Sequence, residues 1–276
     1  MSLPRIGVLA VREDTRRLRR MLASGRARIV AATVSQRSGR WTVSLTVAAA
    51  DLHPGRQHRP QPSDEGEHRS GEHASGQCLG GGWGPVAGRW VGVDRGLSAF
   101  VVAANADGAQ LLRVDDPPRP LRAAKARLRR LGRQVSRKQR GSGNRRRAVA
   151  QLGRAHARIR NVRQHFLHQV ANTLVKTHDQ IAVQDLHIAG MLANHRLAAA
   201  ISDAAWGQLV RLIGYKQAWR GGHLALVDRW YPSTKTCAAC HTVTAAAVPL
   251  SMRVFTCPRC GHQADRDLNA ATNLAI

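Results

Sequence analysis

Apolar and polar residues alternate from Trp41 to Val47. Trp41, Val43, Leu45 and Val47 fall on one face of a strand, with Thr42, Ser44 and Thr46 on the other. Ile29 to Thr33 predicts the strand before it, and Ser38-Gly-Arg the turn between them. Residues 3–11 read as a further strand, and residues 15–23 as a short basic helix. After a stretch poor in apolar residues, Trp90-Val-Gly-Val-Asp94 reads as a buried strand ending in an acid. Ala99 to Ala104 and Gln110 to Val114 complete a meander, with Ala106-Asp-Gly turning between them.

From residue 117 to 178 the spacing becomes helical. Leu121, Leu128, Leu131 and Val135 mark a first helix, and Gly141-Ser-Gly-Asn breaks it. Val149, Leu152, Ala155, Ile159, Val162, Phe166, Val170 and Leu174 mark a long second one. A buried strand runs from Gln180 to Leu186. A helix from Ala204 to Arg220 is stopped by Gly221-Gly, and a strand follows from His223 to Val227. A terminal helix is expected from Asn269 to Ile276. These elements outline a small β unit over residues 1–50, a flexible linker over 51–88, and an α/β domain over 89–276.

Charge adds a partner. The 276 residues carry 43 Lys and Arg against 17 Asp and Glu, a net charge of +26. Such an excess predicts a polyanion, and nucleic acid fits it. Between Asp116 and Asp179 there are eighteen Lys or Arg and no acid, whereas ordinary solvated helices mix both signs. The helical segment is therefore expected to contact phosphate. With three Phe and two Tyr, an aromatic stacking platform is not expected. No apolar run approaches the length of a membrane span and no signal-peptide core is present, so no membrane partner is expected. The cysteine usage fits a reducing cytoplasm, and the charge a location on the nucleoid.

Cys237 and Cys240 form one Cys-x-x-Cys pair, and Cys257 and Cys260 form a second after sixteen intervening residues. This spacing predicts a zinc ribbon over residues 232–263, its four thiolates closing a structural tetrahedral site. A closed site leaves no position for catalysis. Disulfides and a catalytic zinc are the alternatives, and His262 is a competing ligand. Cys78 is left as an isolated thiol. The irregularly spaced His53, His58, His68 and His73 read as a solvated loop.

Asp94 ends one strand, Gln184 ends a later one, and Asp265 follows the ribbon. Carboxylates at such positions on one sheet form a cage for two Mg²⁺ ions, which activate water and stabilise the leaving oxygen in phosphodiester cleavage.

Four stretches resemble a known family: Gly92-Val-Asp94-Arg-Gly96-Leu, Ala182-Val-Gln184-Asp185-Leu-His-Ile-Ala-Gly190-Met, Asp228-Arg-Trp-Tyr-Pro-Ser-Thr-Lys-Thr-Cys237 and Asp265-Arg-Asp267-Leu-Asn269-Ala-Ala. The chain resembles TnpB, the OrfB-type accessory protein of bacterial insertion sequences, related to the type V CRISPR effectors. The resemblance implies an RNase-H-like (RuvC) nuclease domain with a helical insertion over 117–178 and an inserted zinc ribbon, preceded by a partial β-barrel of the WED type. It implies a DNA target and a guide RNA transcribed from the element's end. Matched by position, Asp94 is the first RuvC carboxylate, Gln184 the middle one and Asp265 the third. Members carry Glu at the middle position, so Gln184 implies weakened Mg²⁺ binding and impaired cleavage. The resemblance also implies that the chain starts inside the barrel. Two alternatives to residual cleavage follow: a nuclease-dead, RNA-guided DNA-binding protein of repressor type, or a degraded remnant of a mobile element.

Overall fold

The computed structural model describes residues 2–3, 7–8, 14–37, 40–49, 90–245, 249 and 251–275. The expected linker, with Cys78 and its histidines, lies outside them. The chain divides into two compact units, residues 1–55 with 131–157, and residues 56–130 with 158–276.

In the first unit, β1 (Ser2–Leu3) pairs antiparallel with β2 (Gly7–Val8), so the single strand expected over 3–11 is two short ones. The basic helix α1 (Arg16–Ala23) leads into β3 (Ala27–Arg37), which pairs antiparallel with β4 (Arg40–Ala49). The predicted alternation holds in β4: Val43, Leu45 and Val47 are half-buried, and Thr42, Ser44 and Thr46 exposed. Trp41 does not follow it and is 68% exposed. Among the described residues, β3 and β4 form a sheet of two strands.

The second unit is built on a five-stranded sheet in the order β7-β6-β5-β8-β9. Its strands are β5 (Trp90–Asp94), β6 (Val101–Ala104), β7 (Gln110–Val114), β8 (Gln180–Gln184) and β9 (His223–Val227). The first three form an antiparallel meander, and β5, β8 and β9 run parallel. Helix α2 (Pro120–Ser136) and the 35-residue α3 (Gly143–Thr177) connect the meander to β8. Buried Asp203 caps the start of α2, accepting from the backbone N–H groups of Leu121 and Arg122 at 2.9 Å each.

After β8 come α4 (Ile188–Leu192), α5 (Ala198–Ala204) and α6 (Trp206–Arg220). The helix expected from Ala204 to Arg220 is α6, starting at Trp206, and α5 before it is an additional element. Ala205 sits between α5 and α6 at a φ of 50°, a left-handed conformation that ends one helix before the next begins. Strands β10 (Val254–Thr256) and β11 (Gln263–Asp265) pair antiparallel, and α7 (Arg266–Leu274) closes the described chain.

The two faces of the sheet differ in kind. Val91, Val93, Ile181 and Val183 join the main core, with Leu167, Val170 and Leu174 of α3 and Leu209 and Ile213 of α6. The alternate positions are Gly92, Ala182 and Ala104, which are small. Here α7 lies against the sheet, Ala271 packing with Ala99, Val102 and Ala104. A Cβ on Gly92 would stand 1.9 Å from the Ala271 carbonyl oxygen, so only glycine permits this approach. No helix among the described residues is long and apolar enough to cross a membrane.

Candidate functional site

The face that carries Gly92 and Ala182 also carries the site. Pairing of Val93 with Val183 makes Asp94 and Gln184 the next positions of two adjacent parallel strands. Asp94 is pushed up to about 6, first by desolvation and then by the negative charge of Asp267. Asp267 is 5% exposed and lies in the first turn of α7. Its oxygens pair with Arg266 at 3.3 Å and Arg253 at 3.9 Å. Burial lowers the Arg95 guanidinium to about 10. That group donates to the backbone carbonyl of Gln184. The two carboxylates therefore share the site with the guanidinium charges of Arg95 and Arg266.

Asp265 lies at the start of the same segment. It is the N-cap of α7, and its Oδ1 accepts from the N–H groups of Asp267 at 2.9 Å and Leu268 at 3.0 Å. It also pairs with Arg113 of β7 at 3.3 Å. The acid whose charge bears on Asp94 is Asp267, two residues further on. The sequence carried a signal for this. An Asp before a helix reads as a cap, and Asp267, Ala270, Ala271 and Leu274 then follow at i, i+3, i+4 and i+7. All four are buried. Starting the helix at Asn269 hid the stripe.

Gln184 is tied through its amide. Its Nε2 donates to the backbone carbonyls of Tyr231 at 2.7 Å, Arg229 at 3.2 Å and Asp228 at 3.3 Å. The Ser233 hydroxyl donates to its Oε1 at 3.2 Å. Three carbonyl acceptors require the nitrogen on that side, so the orientation follows from the partners. The neighbouring Asp185 pairs with Arg229. The turn held in this way carries Trp230, which is 84% exposed.

These residues fit a divalent cation unevenly. Asp94 and Asp267 are two desolvated carboxylates of like charge, an arrangement that a hard cation relieves. Gln184 does not fit as an anionic third ligand, because its oxygen accepts from Ser233 and its nitrogen holds the turn.

The four cysteines converge. All four Sγ atoms lie within 4.8 Å of one another. Cys237 to Cys260 and Cys240 to Cys257 each measure 3.7 Å. A tetrahedron with Zn–S bonds of ~2.3 Å has edges of ~3.8 Å, whereas a disulfide needs ~2.0 Å. The cluster fits zinc. Two knuckles build it: Cys237 N donates to Thr242 O at 3.0 Å, and Cys257 N to His262 O at 2.8 Å. The residue after each second cysteine has positive φ, 55° at His241 and 74° at Gly261. The Thr242 hydroxyl and N–H lower the Cys240 thiol, while the neighbouring thiols Cys240, Cys257 and Cys237 push Cys260 up.

Two family models match the chain. OrfB_IS605, described as "Probable transposase", covers residues 85–195, and the Cas12f1-like TNB domain covers residues 206–274. A Streptomyces pristinaespiralis protein named "Putative RNA-guided DNA endonuclease" is 41% identical over 184 residues, 67% of this chain and 44% of its own length. "Putative RNA-guided DNA endonuclease MT2953" of Mycobacterium tuberculosis is 36% identical over 100% of this chain and 54% of its own. "Putative RNA-guided DNA endonuclease InsQ" of Escherichia coli is 32% identical over 67% of this chain and 48% of its own.

The chain is a TnpB/OrfB-type protein.

It spans about half the length of these relatives. The solved Cas12f1–sgRNA–target DNA complex aligns over 88% of this chain and 55% of its own, at 16% identity and a TM-score of 0.47. Both family models fall within residues 85–274, so the TnpB-type match takes in the sheet, the cysteine cluster and α7.

Proposed function

We propose that this TnpB-type chain binds DNA and a guide RNA from the element's end, and that Gln184 disables the two-cation cleavage chemistry of its RNase-H-like (RuvC) site. An antiparallel meander followed by two parallel strands, in the order β7-β6-β5-β8-β9, supports the RNase-H-like assignment. In the same reading, residues 117–178 are the helical insertion and β3–β4 belongs to the WED-type barrel.

The cation-binding pair is Asp94 and Asp267, and Mg²⁺ is the ion their oxygens suit. Held by these two residues, it would supply an activated water and charge stabilisation for phosphodiester hydrolysis. The chain's own residues hold the carboxylates at the end of β5 and the start of α7, and place the Arg95 and Arg266 guanidinium groups within reach of Asp94. The four cysteines hold a structural zinc. Exposed Arg and Lys on α2 and α3 take the phosphate backbone.

The amide of Gln184 carries the reading. Two closely spaced cations need anionic ligands between them, and here the middle position is neutral and committed to a turn. The test supplies Mg²⁺, the neighbouring element RNA and a matched DNA target. Binding without cleavage is the expected result. Cleavage that Asp94→Asn and Asp267→Asn both abolish would contradict it.

A further inference from the structure

A continuous set of hydrogen bonds leads from Gln184 to the helix that carries Asp267. Gln184 Nε2 donates to Tyr231 O, and the Tyr231 hydroxyl donates to the Asn273 carbonyl at 3.2 Å. Ser233 donates its hydroxyl to Gln184 Oε1, and its carbonyl accepts from Asn273 Nδ2 at 2.8 Å. Further along the same segment, Thr236 O accepts from Asn269 Nδ2 at 2.7 Å and Asn273 Nδ2 at 2.6 Å. Asn269 Oδ1 accepts from Ala238 N at 2.9 Å. Asn269 and Asn273 stand at i and i+4 on α7, 1% and 2% exposed. Helix α7 is therefore seated against Gly92 of β5 and held through its asparagines to residues 231–238. Gln184 fastens that segment to β8.

We propose that Gln184 is a positioning residue and not a cation ligand: its side-chain amide fixes the 228–238 segment, and through it α7, so that Asp267 faces Asp94 as a pair holding a single divalent cation. This rests on the reading of Asp94 and Asp267 as the cation-binding pair. A glutamate at position 184 has no N–H to offer the three carbonyls. Its oxygen would stand where the amide nitrogen now lies, 2.7 Å from Tyr231 O. Repulsion between these acceptors pushes the side chain or the turn away, and the three bonds that hold the turn are lost. Restoring the charge therefore does not restore a second cation position. It loosens the segment that places Asp267.

Mn²⁺ binding by electron paramagnetic resonance and amide hydrogen exchange test this on the zinc-loaded chain. Wild type is expected to take up about one Mn²⁺ per chain. Gln184→Glu and Gln184→Leu are both expected to weaken Mn²⁺ binding about tenfold, the scale for groups that orient a ligand without touching the ion. Both should speed exchange at residues 266–274 about tenfold. Tyr231→Phe, which keeps the amide and removes only the phenol link, should move both readouts in the same direction by less, and it serves if the Gln184 variants fold poorly. Tighter Mn²⁺ binding or a second Mn²⁺ in Gln184→Glu would overturn the proposal. So would unchanged exchange in α7. Wild type that binds no Mn²⁺ would overturn the cation pair itself, and exchange in α7 would still decide the role of the amide.

Discussion

Gly92 of β5 lies directly beneath Ala271 of α7. A Cβ on Gly92 would meet the Ala271 carbonyl oxygen at 1.9 Å, the Ala275 nitrogen at 2.6 Å and the Leu274 carbonyl carbon at 2.8 Å. All three are backbone atoms, so no side-chain rotation makes room. Helix α7 approaches β5 this closely, with the charge of Asp267 bearing on Asp94, because this position has no side chain. Gly92→Ala is expected to destabilise the fold by about 3 kcal/mol, the upper range for overpacking a rigid contact. Urea unfolding measures it, and a loss below about 0.5 kcal/mol would mean that α7 is not seated on β5.

Asp94 gives the fold a pH dependence of unusual sign. Its carboxyl is raised from 3.8 to about 6 by burial and by Asp267. Between those values the native state binds more protons than the unfolded one, so this group's contribution to stability falls as pH rises. The full cost, up to about 3 kcal/mol, is present above pH ~6 and absent below pH ~4. Without added divalent cations, Asp94→Asn is expected to be more stable than wild type at neutral pH, with the difference vanishing near pH ~4. Denaturation of the two proteins across pH checks this; a constant difference would contradict it.

The cysteine cluster predicts about one zinc per chain by elemental analysis. β11 runs directly into Asp265 and α7, so losing the metal should be felt beyond the ribbon. Cys257→Ser or a strong chelator is expected to lower the thermal midpoint and speed exchange in α7. A zinc-free chain with an unchanged midpoint would rule out a structural metal.

Arg122, Lys125 and Arg129 are exposed on α2 at i, i+3 and i+7. If this face meets phosphate, replacing all three by Gln should reduce the slope of log affinity against log salt by about two to three, at ~0.7–0.9 per contact. Oligonucleotide anisotropy across a salt series measures the slope. An unchanged slope would place the nucleic acid elsewhere.

Much of the second unit was legible because its signals are local. Alternation and flanking turns located β5 to β9, and the cysteine spacing located the ribbon. The break at Ala205 was not, since nothing in Ala204-Ala-Trp206 announces a left-handed residue. The capping role of Asp265 is not legible in the sequence, because a cap and a ligand look alike until the helix start is known. In the sequence, Gln184 shows only as a lost charge. Its partners lie 44 to 49 residues downstream, in a turn whose path the sequence pattern does not give.

The central claim is that Asp94 and Asp267 form the cation-binding pair, with Asp265 serving as the cap of α7. Mn²⁺ titration of Asp265→Asn and Asp267→Asn tests it most directly, because asparagine keeps the cap at 265 and removes one charge at either position. Asp267→Asn is expected to abolish Mn²⁺ binding, while Asp265→Asn is expected to bind like wild type. Loss of binding in Asp265→Asn, with Asp267→Asn unaffected, would contradict it.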